Sequence, residues 1–234
     1  MNRRDIAKAL TGAATLIALT SCKQRSTPPT APPTFSASHF QSRLEALRLA
    51  YEAKQEHVSA TLQPGLAEAA LRERCAWFPS RLPDEIVALY GWHDGQPSSP
   101  GVEQYPFLFR DCGFTSIRNA ENEYKMIMSS YGTQPRLHDL LKHSFPFAAF
   151  DAGWLVLTCN ERFPGSPYEH SVISVFQNVM LMFYSMDSMV ETCIGWVNNT
   201  GVLAGLPFIG KSLEDEILER FNPGILALQS HDSL

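Results

Sequence analysis

Charged residues are scarce in this chain. The chain also lacks a basic net charge and a second long apolar run. Asp, Glu, Lys and Arg make up only 18% of the 234 residues, against 44% hydrophobic residues, which excludes an intrinsically disordered chain. The formal net charge of −5 excludes the basic footprint of a nucleic-acid-binding protein. No apolar run of about 20 residues follows the first 22 residues, so no further membrane span is expected. The composition predicts a folded body of ordinary domain size.

The motifs of several enzyme classes are also missing. The chain has neither the Gly-x-Ser-x-Gly elbow of serine hydrolases nor a glycine-rich phosphate loop. None of its cysteines are spaced as Cys-x-x-Cys, the usual spacing of zinc and redox sites. We therefore predict that the protein is not an enzyme and that it binds no metal or other cofactor.

The first 22 residues have the three parts of a bacterial lipoprotein signal. A positively charged start is followed by the apolar run 9–19, which is too short to span a bilayer as a helix. The run ends in Leu19-Thr20-Ser21-Cys22, which resembles the lipobox where the signal is cleaved and the cysteine thiol receives its lipid. We predict that residues 1–21 are a cleaved signal peptide. Cys22 is then expected to carry fatty-acyl chains such as palmitate, which together anchor the protein in a membrane.

Two details of the leader bear on the export route and the destination. Arg3 and Arg4, followed by Lys8, resemble a twin-arginine export motif, but an ordinary secretory signal can also begin with two arginines, and both routes stay open. Lys23 stands where an aspartate would resemble an inner-membrane retention signal. The expected location is the periplasmic face of the cell envelope, on the outer membrane if the cell has one.

Residues 22–37 are predicted to be a tether. The segment is rich in Pro, Ser and Thr, and the proline pairs at 28–29 and 32–33 favour extended polyproline geometry. The leader has three basic residues and one acidic residue, so the chain without it would have a net charge of about −7.

Residues 38–234 are predicted to form a single α+β domain. Apolar residues at helical spacing predict helices that start at Ser38, Pro64, Pro83, Ser116 and Met186, with a last helix from Ser212 as a C-terminal extension. Between residues 147 and 184, four short segments rich in β-branched and aromatic residues predict strands, and a further strand is predicted at 105–109. Since no helix separates the four strands, they are expected to pair antiparallel.

One stretch of this body resembles a known family. Residues 82–95, LPDEIVALYGWHDG, are similar to the signature of the SUKH superfamily, which is named after a yeast cell-wall synthesis regulator and bacterial toxin-immunity proteins. The segments 145–147, 153–154 and 171–176 are similar to its central strands, and 187–197 to its closing helix. The chain departs from the pattern at Trp154, which follows Gly153 directly where many members have a glycine-rich turn.

The resemblance covers about residues 40–197 and implies a fold and an activity. The implied fold is a twisted, mainly antiparallel sheet flanked by helices. The implied activity is protein binding, with no catalytic residues. Immunity proteins differ from one another on their binding faces, so the resemblance assigns no binding residue.

Trp92, His93 and Asp94 are the first candidates for a functional site. A carboxylate beside a histidine can raise the pKa of the histidine and prepare it for acid–base work. The alternative, which we favour, is that Trp92 packs in the core while the polar pair closes a turn. We keep the three residues as candidates for partner binding and assign them no catalytic role.

His138, Asp139 and His143 are a second candidate, because two histidines and a carboxylate invite a metal ion. Asp139 and His143 are four residues apart and would share one face of a helix. A catalytic metal site generally needs three protein ligands, and no third residue has a telling spacing. With Pro146 close behind, we interpret these residues as part of a solvated loop.

Four cysteines remain after Cys22, namely Cys75, Cys112, Cys159 and Cys193. In an oxidising compartment they could form two disulfide bonds in any of three connectivities. Each lies in an apolar stretch, which favours buried thiols instead.

These observations lead to one expected function and two alternatives. The favoured function is a membrane-tethered module that binds another protein, as immunity against a toxin that reaches the envelope. An acidic chain suits a basic toxin, because opposite charges speed association. The first alternative is an envelope lipoprotein with a structural or regulatory role in cell-wall assembly, and the second is an envelope hydrolase that uses His93 and Asp94.

Overall fold

A computed structural model of the chain describes residues 34–97, 107–109, 112–131, 133–150, 153–160, 162–200 and 211–229. The predicted signal peptide, Cys22 and the tether up to residue 33 lie outside the described residues, as do residues 105–106 of the predicted first strand. None of the described helices is both long enough and apolar enough to cross a bilayer.

The described residues form an α+β fold, as the sequence predicted. Its helices are α1 (Ala37–Ala53), α2 (Glu68–Arg74), α3 (Asp84–Trp92), α4 (Ile117–Tyr131), α5 (Pro135–Lys142), α6 (Met186–Thr200), α7 (Lys211–Phe221) and α8 (Ile225–Gln229), with a 3₁₀ turn at Val58–Thr61. Its strands are β1 (Gly113–Phe114), β2 (Ser144–Phe150), β3 (Gly153–Thr158), β4 (Val172–Val175) and β5 (Val179–Phe183). The strands form one open antiparallel sheet in the order β1-β2-β3-β4-β5.

Helices cover the sheet and complete the core. Helices α4 and α5 contact β2, while α6 and α8 contact β5. Helix α1 packs between α3 and α6, and its apolar positions Phe40, Leu44 and Leu47 are fully buried. A single cluster of buried side chains runs from α1 through the sheet to α8.

Local chemistry sets where two of the helices begin. The cap of helix α1 is Ser36, two residues before the predicted Ser38 cap, and the Ser36 hydroxyl accepts a hydrogen bond from the His39 amide at 3.4 Å. At α6, Ser185 and Ser188 cap one another: the Ser188 amide donates to the Ser185 Oγ at 3.1 Å and the Ser185 amide donates to the Ser188 Oγ at 3.0 Å. This reciprocal pair satisfies two of the amides that every helix start leaves open.

Two predictions that depended on a proline, a helix start at Pro64 and a strand start after Pro146, differ from the structure. Pro64 does not open a helix; it forms an isolated bridge with His93, and α2 begins only at Glu68. Strand β2 begins at Ser144, three residues before the predicted strand start at residue 147, and so includes Pro146, where the register shifts between Pro146 and Ala148. A proline has no amide to donate, and a bulge is the place where a strand tolerates that loss.

Three elements of the described residues were not predicted. The short strand β1 and the helices α5 and α8 have no counterpart in the sequence analysis. Of the predicted strand at 105–109, the described part contains Phe109, which makes only an isolated bridge to Cys112.

Candidate functional site

Asp94, the first of the candidate site residues, is used to begin a helix. Its side chain is buried, and its Oδ1 accepts a hydrogen bond from the Ile117 amide at 2.7 Å, so it caps α4 from a distance of 23 residues along the chain. Burial raises the pKa of Asp94, and the Ile117 hydrogen bond and the nearby Arg74 oppose that shift. The Asp94 carboxylate thus stabilises the start of α4.

His93 and Trp92 contact other parts of the structure. The His93 Nδ1 lies 2.8 Å from the Gln63 carbonyl oxygen, so this nitrogen carries the proton and donates it. The half-buried Trp92 packs against the core, with its ring edge-on to His93, and hydrogen-bonds to the Glu45 carboxylate. The three adjacent residues are therefore joined to three different partners, an arrangement that closes a turn and does not assemble an acid–base pair.

The role of Asp94 as a helix cap can be tested by substitution. Asp94→Ala is expected to lower the free energy of unfolding by about 1–2 kcal/mol, because the Ile117 amide loses its acceptor. Asp94→Asn is expected to lose much less, since the amide oxygen can still accept that hydrogen bond. Urea denaturation measures the free energy of unfolding of both variants, with the surface substitution Asp139→Ala as a control. Equal losses for Asp94→Ala and Asp94→Asn would contradict the capping role.

His138, Asp139 and His143 do not come together as a metal site. They are not in a loop, as we had interpreted them, because His138 and Asp139 lie in α5 and His143 caps its end. The His143 Nδ1 is 2.6 Å from the Ser80 Oγ, whereas His138 pairs with the exposed Asp139 at 3.2 Å. Among the described residues, no group of three His, Cys, Asp or Glu side chains is arranged to hold a metal ion.

The cysteines are mostly buried. Cys75, Cys159 and Cys193 are buried and Cys112 is half-buried, and no disulfide bond joins them in the described part of the chain. Burial raises the pKa of Cys75 to about 12 and also raises the pKa of Cys159. Since the thiolate is the reactive form, these two side chains are poor nucleophiles.

One cavity in the described residues is an acidic cleft of about 660 Å³. It lies where the starts of α3 and α6 meet the segment between β3 and β4 (residues 162–171). Five carboxylates line it: Asp84, Glu85, Glu169, Asp187 and Glu191. The basic side chains that line it are Arg81, which is largely exposed, and His170. Carboxylates thus outnumber basic groups on its walls.

Glu85 and His170 form the least exposed ion pair of the acidic cleft. The His170 Nδ1 lies 3.1 and 3.2 Å from the two oxygens of Glu85, and the side chains are 25% and 14% exposed. The hydrogen bond to Glu85 raises the pKa of His170, and burial opposes the shift without cancelling it. This pair lies on the wall between α3 and the 162–171 segment.

Asp187 is a half-buried carboxylate of the acidic cleft. It lies in the first turn of α6, and its Oδ1 is buried without a hydrogen-bond partner among the described residues. Burial raises the pKa of Asp187, while His39 and Arg43 on α1 lower it in part. One turn further along α6, Glu191 pairs with Arg43 at 2.5 Å.

Two residues of the predicted 22–37 tether lie at this cleft. Thr34 and Phe35 line the cavity, and the ring of Phe35 packs on Phe40 with 5.6 Å between centroids. Phe35 and Asp84 also line the second cavity, of about 410 Å³. Residues 34 and 35 of the predicted tether are therefore packed on the domain beside the acidic cleft.

Sequence reasoning missed the acidic cleft, although two of its carboxylates lie in the 82–95 stretch. Asp84 and Glu85 start α3 inside that stretch, and Glu169 and His170 lie far along the chain from them. Charges at such separations look like ordinary surface residues until the fold brings them together. The arrangement can hold a cationic group between partly buried carboxylates. No family model and no curated protein matches the chain.

Proposed function

We propose that this chain is a membrane-tethered protein-binding module, similar to SUKH immunity proteins, that neutralises a protein toxin in the cell envelope by binding a basic surface of it in the acidic cleft. The observation that carries this proposal is the excess of carboxylates around a cavity of about 660 Å³. The leader sequence and Cys22 support the tether, and the 82–95 stretch supports the class of protein.

The electrostatics of the cleft suit a lysine or arginine side chain of a partner. A cationic group between carboxylates that are already partly desolvated makes charge-assisted hydrogen bonds, which are stronger than neutral ones. The negative charge of the cleft also speeds the approach of a basic partner, an effect that added salt weakens. Asp187 has a buried carboxylate oxygen that lacks a protein donor among the described residues, and a partner can supply one.

A pair of charge-reversal variants tests this function. The full chain, purified from membranes in detergent, serves as bait for envelope proteins and the products of adjacent genes. Asp84→Lys with Glu169→Lys changes two exposed carboxylates of the cleft. Asp139→Lys with Glu216→Lys changes the net charge equally at exposed positions of α5 and α7.

We expect the bait to recover one toxic partner. The affinity of the chain for that partner should fall at least about tenfold, or 1.4 kcal/mol, in the cleft variant and should stay unchanged in the control variant. Co-expression of the chain should protect cells from that partner, and the cleft variant should not. Recovery of cell-wall synthesis proteins, with no toxin among them, would favour the regulatory alternative. Failure of the folded full chain to recover any partner, or equal losses for both variants, would overturn the proposal.

A further inference from the structure

His170 faces groups that only accept hydrogen bonds. Both oxygens of Glu85 lie within 3.2 Å of its Nδ1, and the backbone of Cys159 provides a further acceptor for the ring. A neutral imidazole has one N–H, whereas the protonated ring has two. The surroundings of His170 therefore match the protonated form.

The ion pair joins two parts of the wall of the acidic cleft. Glu85 lies in the first turn of α3, and His170 is near the end of the 162–171 segment. That segment is fixed behind His170 by Ser171, whose amide donates to the Thr158 Oγ1 at 2.8 Å. On the other side of His170, Tyr168 stacks against Tyr184 at 6.0 Å. Between these two attachments, the Glu85 carboxylate joins His170 to α3.

Other charged groups around the pair are mostly acidic. Those that interact with His170, Glu85 or their carboxylate neighbours are Glu169 on the same segment, Asp84 and Arg81 at the start of α3, Asp187 and Glu191 on α6, His39 and Arg43 on α1, and the thiol of Cys159. When His170 is neutral, Glu85 faces Asp187 without a counter-charge between α3 and the segment. The attraction between opposite charges across the wall is then lost, while the repulsion between Glu85 on α3 and Asp187 on α6 remains.

We propose that Glu85 and His170 form a pH-dependent latch, which holds the 162–171 segment against α3 while His170 is protonated and loosens it when the proton leaves. The latch regulates the shape of the acidic cleft and goes beyond the proposed function. It needs no partner, so its failure and the failure of partner binding can be told apart.

The sign of the pH dependence follows from the pKa of His170, which the Glu85 hydrogen bond raises above its ordinary value of 6.5. A histidine with a raised pKa in the folded state contributes stability that is fully present below 6.5. That contribution is lost as the pH rises through the higher folded-state pKa. The latch is therefore expected to be closed in acidic solution and to open progressively above pH 6.5.

Hydrogen–deuterium exchange of the purified full chain tests the latch. After correction for the intrinsic pH dependence of exchange, protection of peptides from 162–171 should fall about threefold or more between pH 6 and pH 9, as expected for a partly exposed charge-assisted pair. Peptides from β2 and β3 should keep their protection and so report that the fold is intact.

Three variants make the test specific to the pair. His170→Gln and Glu85→Gln each remove one charge and should abolish the pH dependence of the 162–171 peptides. His93→Gln changes another half-buried histidine, which bonds to Gln63, and should keep it. A wild-type segment whose protection does not change with pH, or a His170→Gln profile equal to the wild-type profile, would overturn the proposal.

Discussion

Replacement of Gly95 by alanine is expected to lower the free energy of unfolding by about 3 kcal/mol or more. Gly95 has a φ of +75°, and a Cβ atom there would lie 2.4 Å from the Ser116 backbone nitrogen and 2.6 Å from the Ser116 Cα. The left-handed conformation costs an L-residue about 1–2 kcal/mol. The clash adds to this cost because the atoms in the way belong to the backbone and cannot rotate aside.

The position of Gly95 makes the effect spread beyond one residue. Asp94 on one side caps α4, and Gln96 on the other accepts hydrogen bonds from the Leu108 and Phe114 amides, both at 3.1 Å. The Gln96 Nε2 also donates to the Thr61 Oγ1 at 2.7 Å. A shift of the backbone at Gly95 therefore disturbs the buried polar groups that hold α4 and β1 against the rest of the domain.

Gly224→Ala is the matched control for this prediction. Gly224 has a similar φ of +84°, but the nearest atom to its Cβ position is the Tyr184 Oη at 3.8 Å. Its substitution has the conformational cost without the clash, so a loss of about 1 kcal/mol is expected. Urea denaturation at one pH compares the two variants, and equal losses would mean that the close approach of Ser116 has no energetic consequence.

The parts of the fold that the sequence predicted are those with strong local patterns. Helix α1 was recognisable because its apolar residues recur every three or four positions and face the core. The strands β3 to β5 were recognisable because β-branched and aromatic residues concentrate between turn residues. Both patterns are formed by residues that are close together in the sequence, so they can be recognised without knowledge of the fold.

The elements that were missed depend on distant partners. Pro64 was expected to open a helix, but it is extended because it pairs with His93, 29 residues later. Helix α5 was discounted because Pro146 follows it, yet that proline lies in a bulge of the next strand. In each case a tertiary contact decided the conformation against the local preference.

The same difference between local patterns and distant contacts explains why the sequence pointed to residues 92–94 and not to the acidic cleft. Trp92, His93 and Asp94 attracted attention as neighbours in sequence, but residues beyond a helix end have side chains that point in different directions. Glu85 and His170 are 85 residues apart, and nothing local links them. The acidic cleft exists only because α3, α6 and the 162–171 segment meet.

Replacement of Cys22 by alanine is expected to move the protein out of the membrane fraction completely. The predicted anchor is a set of acyl chains on this thiol, and each buried methylene contributes about 0.8 kcal/mol to membrane binding. The variant should also fail to incorporate an alkyne-labelled fatty acid and should accumulate with its leader attached. Membrane fractionation, labelling and intact mass measure these three results.

Cys112→Ala is the control, because it removes a half-buried thiol and should leave both label and fractionation unchanged. A Cys22→Ala protein that keeps its label or stays in washed membranes would contradict the anchor.

The Cys22→Ala variant also distinguishes partner binding by the cleft from attachment of the protein to the membrane. If the cleft acts on a toxin at the membrane, the released protein should still bind the purified toxin but should protect cells poorly, since it is no longer concentrated where the toxin arrives.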